Sequence, residues 1–233
     1  MSFKKVMVFD VETTGLFPKD PSSQLMDCPY ILQISWAIYG IEQQQIIKTF
    51  NSYVNVSSCV IITPFITKLN GCSRELCNQG MLIQDILKIF YKDFHECCIV
   101  AAHNIEFDSK VIKTEFLRNW DEIGIICDCG LSLFNKDYCN AVEVELLCTM
   151  VSTIEYCKLP KASGKGYKYP KLKELYQYCF NEEAPKGLHN SMIDVLVCLK
   201  CLMKIRFHIE ITNDTFKDYV NISTIGTIST QEI

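Results

Sequence analysis

Apolar positions along the chain follow two different periods, and the changes between them mark its elements. KKVMVFDVE, YILQISWAIYGI and IIKTFNSYVNV are β-branched or alternating, which predicts three successive strands in an antiparallel meander. From Pro64 to Phe94 the period becomes helical, with Leu82, Ile86, Ile89 and Phe90 at spacings of three and four. CCIVAAHN predicts a short buried strand ending at polar residues. FDSKVIKTEFLRNW predicts a helix, and EVELLCTMVSTIEY a strand running into a short helix. YPKLKELYQYCF predicts a helix with Pro170 in its first turn and Leu172, Leu175 and Tyr176 on one face. NSMIDVLVCLKCLMKIRF is the clearest helix of all. Strands followed by alternating helices and strands, without repeat or linker, predict one α/β domain with a mixed sheet over residues 1–207. Residues 208–233, polar and threonine-rich, are expected to form a weakly structured tail.

Two carboxylates interrupt the first apolar run. Asp10 and Glu12 lie two residues apart in MVFDVETTG, so on a strand their side chains share a face a few ångströms apart. Like charges that close share a proton or bind a cation. Asp108, in HNIEFD, and Asp194, in HNSMID, stand in comparable apolar surroundings. Each acid also has an ordinary structural explanation. Asp10 and Glu12 fit a solvated strand end, Asp108 fits a first-turn acid on a helix dipole, and Ser191 with Asp194 fits a capping box.

Composition narrows the class. Hydrophobic residues are 48% of the 233, which excludes a wholly disordered chain. No run of eighteen apolar residues exists and no signal peptide is read at MSFKKVMVF, so no membrane partner is expected. The 14 cysteines sit largely inside apolar segments, and the single C-x-x-C, Cys198 to Cys201, lacks the second pair a structural zinc site needs. Free thiols in a reducing intracellular compartment, cytoplasmic or nuclear, are expected. The net charge of −4 gives no global basic footprint. Locally, KLPKASGKGYKYPKLK holds six lysines and no acid, with Tyr167 and Tyr169 among them. Such a segment is either a solvated loop or a phosphate-binding one.

Taken together, the motifs carry a resemblance. DVETTGL looks like the first motif of the DnaQ-like (DEDD) 3′–5′ exonucleases, HNIEFD is similar to the second, and HNSMID to the third in its histidine-containing DEDDh form. YILQISWAI and the pair CTM and YPKLKELY match supporting stretches, and the resemblance covers roughly residues 4–205. It departs at Asn70, where the family often has histidine, and at Asn190–Ser191, where alanine or Asp-Ala is usual.

The resemblance implies a ribonuclease H-like fold, a mixed five-stranded sheet flanked by helices, with Asp10, Glu12, Asp108 and Asp194 in one acidic cluster. It implies two Mg²⁺ ions, replaceable by Mn²⁺, since hard carboxylate oxygens suit them and a cation pair activates water and stabilises phosphate charge. Asp10 would bridge the metals, Glu12 and Asp194 would complete the site holding the attacking water, and Asp108 would support the second ion. His189 would be the general base, an imidazole ordinarily exchanging its proton near neutral pH. Thr13, Thr14 and Leu16 match positions contacting the terminal nucleotide, and His103, Asn104 and Phe107 would line the same pocket. Beside such a site, Lys161, Lys165 and Lys168 of the lysine-rich loop are expected to contact substrate phosphates.

The implied activity is 3′–5′ hydrolysis of a single-stranded DNA or RNA 3′ end, DNA favoured, releasing nucleoside 5′-monophosphates, with repair or proofreading beside a polymerase as the setting. An exoribonuclease trimming RNA and a non-catalytic nucleic-acid- or polymerase-binding subunit remain open alternatives.

Overall fold

A computed structural model describes residues 4–20, 22–225 and 231–232. In chain order its elements are β1 (Lys5–Thr13), β2 (Ile31–Gly40), β3 (Gln45–Tyr53), α1 (Pro64–Asn70), α2 (Arg74–Asn78), α3 (Ile83–His95), β4 (Ile99–Ala102), α4 (Ile105–Arg118), α5 (Trp120–Ile123) and α6 (Lys136–Ala141). There follow β5 (Glu145–Cys148), α7 (Thr149–Ser152), α8 (Ile154–Cys157), α9 (Leu172–Phe180), α10 (Ser191–Phe207), α11 (Asn213–Ile225) and β6 (Gln231–Glu232).

The expected meander and mixed sheet are present. β1, β2 and β3 pair antiparallel, β4 joins β1 in parallel and β5 joins β4, in the order β5-β4-β1-β2-β3, with the two-residue β6 beside β3. β1 is central, so alternate side chains feed two cores. Met7, Phe9 and Val11 pack with Trp36, Phe90, Phe94 and Phe116 on one face. Val6 and Val8 pack with Ala37, Tyr39, Val195 and Leu199 on the other, beneath α10. Asp10 and Glu12 continue the row of Val6 and Val8, toward α10.

A buried polar ladder fixes where α10 starts. The Ser35 and Ser191 hydroxyls meet at 2.6 Å, Ser35 Oγ and Gln33 Nε2 donate to Asn51 Oδ1 at 2.9 Å each, and Ser191 N–H donates to Gln33 Oε1 at 3.3 Å. The cap itself is Asn190, whose side chain accepts from Met192 N–H at 3.2 Å, so Ser191 is already helical and the capping box that Ser191 and Asp194 also fit does not form.

Four other readings are corrected. The helical run over 64–94 is three helices, because Gly71 turns left-handed at φ 76° and the chain at Gly80 lies against the end of β3, where a Cβ would collide with the Tyr53 carbonyl. Leu82 consequently caps α3 from an exposed position instead of joining its buried face. Pro170 precedes the N-cap, Lys171, and so lies outside α9. The lysine-rich segment is a hydrogen-bonded turn, with Pro160 bridged to Tyr167, Lys161 N–H on Gly166 O at 3.1 Å and Lys168 N–H on Leu159 O at 2.8 Å.

The fourth concerns the tail. Residues 213–225 form a helix, since Phe216, Tyr219 and Val220 make a short apolar stripe that polar neighbours obscure in the sequence. Phe216 is buried against α9 and α10, where the Lys200 ammonium lies 4.6 Å from both the Phe180 and Phe216 rings and donates to Asn213 Oδ1 at 2.6 Å. Phe216→Ala should therefore destabilise the whole chain by about 3–5 kcal/mol, the usual cost of truncating a buried phenylalanine. A urea titration following the α10-side core checks it; an unchanged midpoint would mean α11 is not part of the cooperative unit.

Candidate active site

The acids converge from three directions at the carboxyl end of β1. Asp10 and Glu12 come from the strand, Asp194 from the first turns of α10 on one layer, and Asp108 from the first turn of α4 on the other. Asp108 is buried, and its carboxylate accepts hydrogen bonds from Val11 N–H and from its own backbone. Asp194 Oδ2 accepts from His189 N–H at 3.1 Å. His189 is exposed at the lip, on a left-handed backbone with φ 72°, and ligand atoms of Glu12, His189 and Asp194 all lie within 4.8 Å of one another. These residues line a cleft of about 660 Å³ together with Leu16, Asn104, Phe107 and Met150.

Crowding and burial disfavour ionisation of all four acids. Burial raises Asp10 well above the carboxylate range, with Asp108, Asp194 and Glu12 adding repulsion. Glu12 is pushed up to about 8 by burial and by Asp194, against a hydrogen bond from Asn70 that favours its charged form. Asp194 rises to about 7 through burial, opposed by the His189 N–H, and Asp108 is also raised by burial. Among the described residues Asp194 Oδ1 is buried without a hydrogen-bond partner, a costly condition for a polar atom. The four acids offer only carboxylate oxygens, one of them buried and unpartnered among the described residues, and such donors fit hard divalent cations. Asp10, Glu12, Asp108 and Asp194 are the residues that would hold them.

The remaining expected residues divide. Leu16, 82% exposed, lines the cleft, as do Asn104 and Phe107, whose ring also meets Phe17 edge-on at 5.9 Å. Thr13 and Thr14 are turned away. Thr13 continues the row of Val11, off the face of the acids, and a register shift after Glu12 ends the regular pairing before Thr14. The Thr13 hydroxyl then donates to Gly15 O at 2.7 Å, and Thr14 Oγ1 accepts from Tyr30 N–H at 3.0 Å. His103 borders the cleft with both ring nitrogens engaged, by Thr149 Oγ1 at 2.9 Å and Pro170 O at 3.0 Å.

Lys161 and Lys165 stand on the exposed turn and do not line the cleft, and Lys168 pairs with Glu174 at 2.5 Å. The lysines that do line it are Lys171 and Lys173, with Tyr169 beside them. Their segment was visible as basic and aromatic, but which lysines face the acids depends on the turn. Asn70 was also missed as a site residue. It closes α1 before Gly71, with Oδ1 accepting from Cys72 N–H at 3.0 Å and its amide reaching Glu12.

Raised carboxylate pKa values make stability pH-dependent, with a definite sign. The folded chain binds more protons than the unfolded chain above about pH 4, so metal-free stability should fall as pH rises toward about 8, where Glu12 titrates. The metal-free protein should melt several degrees lower at pH 8.5 than at pH 6, at about 2–4 °C per kcal/mol for a chain of this size. Millimolar Mg²⁺ should recover most of the loss at pH 8.5. Calorimetry at both pH values, with and without Mg²⁺, tests this; a melting point that rises with pH in EDTA would contradict the crowded-carboxylate account.

Comparison with known proteins places this geometry. The exonuclease family of RNase T type matches residues 7–202. A PolC-type DNA polymerase III from Caldanaerobacter subterraneus is 34% identical over 73% of this chain, which spans 10% of that polymerase. The 3′–5′ exonuclease DinG of Staphylococcus saprophyticus is 32% identical over 75% of the chain, which spans 15% of it. Among solved structures, E. coli Exonuclease I in complex with a dA16 oligonucleotide shares the fold at TM-score 0.62 and 14% identity, over 94% of this chain and 43% of its own. A 3′-exonuclease recognising the histone mRNA stem-loop shares it at TM-score 0.60 and 11% identity, over 89% and 84%. The chain thus spans only a small part of the curated relatives it matches. No described helix is long and apolar enough to cross a membrane. The protein belongs to the DnaQ-like exonuclease family of the ribonuclease H-like superfamily.

Proposed function

We propose that this chain is a metal-dependent 3′–5′ exonuclease that removes nucleoside 5′-monophosphates from the 3′ end of a nucleic-acid strand, with DNA preferred. The observation that carries the reading is the meeting of Asp10, Glu12, Asp108 and Asp194 in one cleft with His189 at its lip. When bound, a pair of divalent cations supplies an activated water and neutralises charge on the attacked phosphate. The chain's own residues do the rest. The sheet and two helix starts hold four carboxylates in fixed positions, so little reorganisation accompanies substrate binding. Asn70 holds Glu12 toward its charged form by hydrogen bonding. Asp194 fixes the His189 backbone, which leaves the exposed imidazole facing the cleft as the group that accepts the water's proton. Leu16 offers an apolar surface to the terminal base.

The DNA preference rests on kinship with a DNA polymerase III, and the same kinship supports a polymerase as partner in proofreading. A reducing intracellular setting is supported by the free state of the fourteen cysteines.

Digestion of 3′- and 5′-labelled single-stranded DNA, duplex DNA and RNA, with Mg²⁺ and with EDTA, tests the reading directly. Mononucleotides should leave from the 3′ end with Mg²⁺ or Mn²⁺, and none in EDTA. A circular single strand should resist, and its rapid cutting would show an endonuclease. Asp10→Ala should abolish turnover with the fold intact. His189→Ala should slow single-turnover cleavage by roughly 10²–10⁴-fold, the usual worth of a positioned base; turnover near that of the unaltered protein would remove His189 from the mechanism.

A further inference from the structure

The segment Tyr169–Lys173 lines the cleft that holds the acids, unlike the rest of the lysine-rich stretch. Tyr169 is 58% exposed although it lines a cleft, so it offers aromatic surface there. Lys171 and Lys173 are exposed, and among the described residues neither forms an ion pair, whereas Lys168 is paired with Glu174. A strand entering over an acidic floor needs positive charge for the phosphates that the metals do not touch. An unpaired base can stack on an aromatic face, whereas a paired one is already stacked in its duplex.

The segment is held from behind. Pro170 O only accepts, so His103 carries its proton on Nε2 and donates it there at 3.0 Å. Its Nδ1 therefore accepts from the buried Thr149 hydroxyl at 2.9 Å. His103 follows β4 directly and opens the turn into α4, and Thr149 follows β5 directly. The imidazole thus ties the ends of two parallel strands to the segment at Pro170, between Tyr169 and Lys171, and both its nitrogens are engaged. Burial keeps it neutral, with its pKa pushed down to about 4.

Building on the exonuclease reading, we propose that Tyr169, Lys171 and Lys173 form the wall that grips an unpaired substrate strand, and that His103 is the positioning residue that sets this wall. His103 accordingly acts on substrate only through Pro170, which replaces the direct contact expected of it.

Two measurements test this. In an Asp10→Ala background, where no probe is consumed, fluorescence anisotropy reads binding of a labelled single-stranded oligonucleotide and of a duplex with a paired 3′ end. Tyr169→Ala should weaken single-strand binding about 5- to 150-fold, the worth of one stacked base, and weaken duplex binding much less. Lys171→Ala with Lys173→Ala should flatten the slope of log K against log salt by about 1.4, whereas Lys161→Ala with Lys165→Ala should leave it unchanged. With Asp10 intact, His103→Leu should raise KM about tenfold with kcat within about twofold, and His103→Gln, which retains a donor toward Pro170, should restore KM. Unchanged affinity and salt slope in the wall variants would overturn the wall, as would an effect confined to Lys161 and Lys165. A His103→Leu effect on kcat alone, or no rescue by glutamine, would overturn the positioning role. Failure of the exonuclease reading is distinct: the unaltered chain would cleave no substrate, while the binding measurements would still judge the wall.

Discussion

Four carboxylates that repel one another across a partly buried cleft set the terms for everything around them. Left to themselves they would separate, protonate or draw in cations. Here the separation is prevented by elements that belong to different layers. β1 is locked between β2 and β4, α10 starts where the Ser35–Ser191 ladder stops it, and α4 begins where Asp108 meets the Val11 N–H. The hydrophobic cores on both faces of the sheet thus supply the free energy that holds like charges together, and the raised carboxylate pKa values record the opposing cost.

The same central strand explains why the cores and the site do not interfere. Along β1 one row of side chains serves the α3–α4 side and the other serves α10. The acids extend the second row past the point where the apolar packing ends, so two residues of strand carry the change from core to site. The neighbouring polar groups follow the same logic. Gln33, Ser35 and Asn51 continue outward on adjacent strands and satisfy each other with Ser191, so no apolar contact is needed there.

Around this centre the cleft has two unlike sides. Glu12 and Asn70 connect the floor to α1, while His103 connects β4 to the basic segment before α9. The loop between β1 and β2 is fastened separately. Arg118 donates to the carbonyls of Leu25, Cys28 and Pro29, stacks on Tyr30 at 3.7 Å and pairs with buried Glu115 at 2.8 Å. Leu16, which borders the cleft, stands on that loop, so a guanidinium and a carboxylate on α4 help to shape a surface some distance from them.

What the sequence by itself determined is what local periodicity controls. Two-residue spacing puts Asp10 and Glu12 on one face of β1. The short apolar run before HNIEFD and the long apolar run after HNSMID put Asp108 and Asp194 in the first turns of helices, and the meander followed by alternating elements defines the sheet. Tertiary structure alone decided the rest, because it depends on contacts between distant segments. Beyond the register shift that follows Glu12, the Thr13 and Thr14 hydroxyls take backbone partners at Gly15 and Tyr30. The turn bridged at Pro160 and Tyr167 aimed Lys171 and Lys173, rather than Lys161 and Lys165, into the cleft. Burial against α9 and α10 made a helix of a stretch whose polar composition suggested none. Asn70 reaches Glu12 only because the chain between them folds back over the sheet, a closure that local spacing does not record.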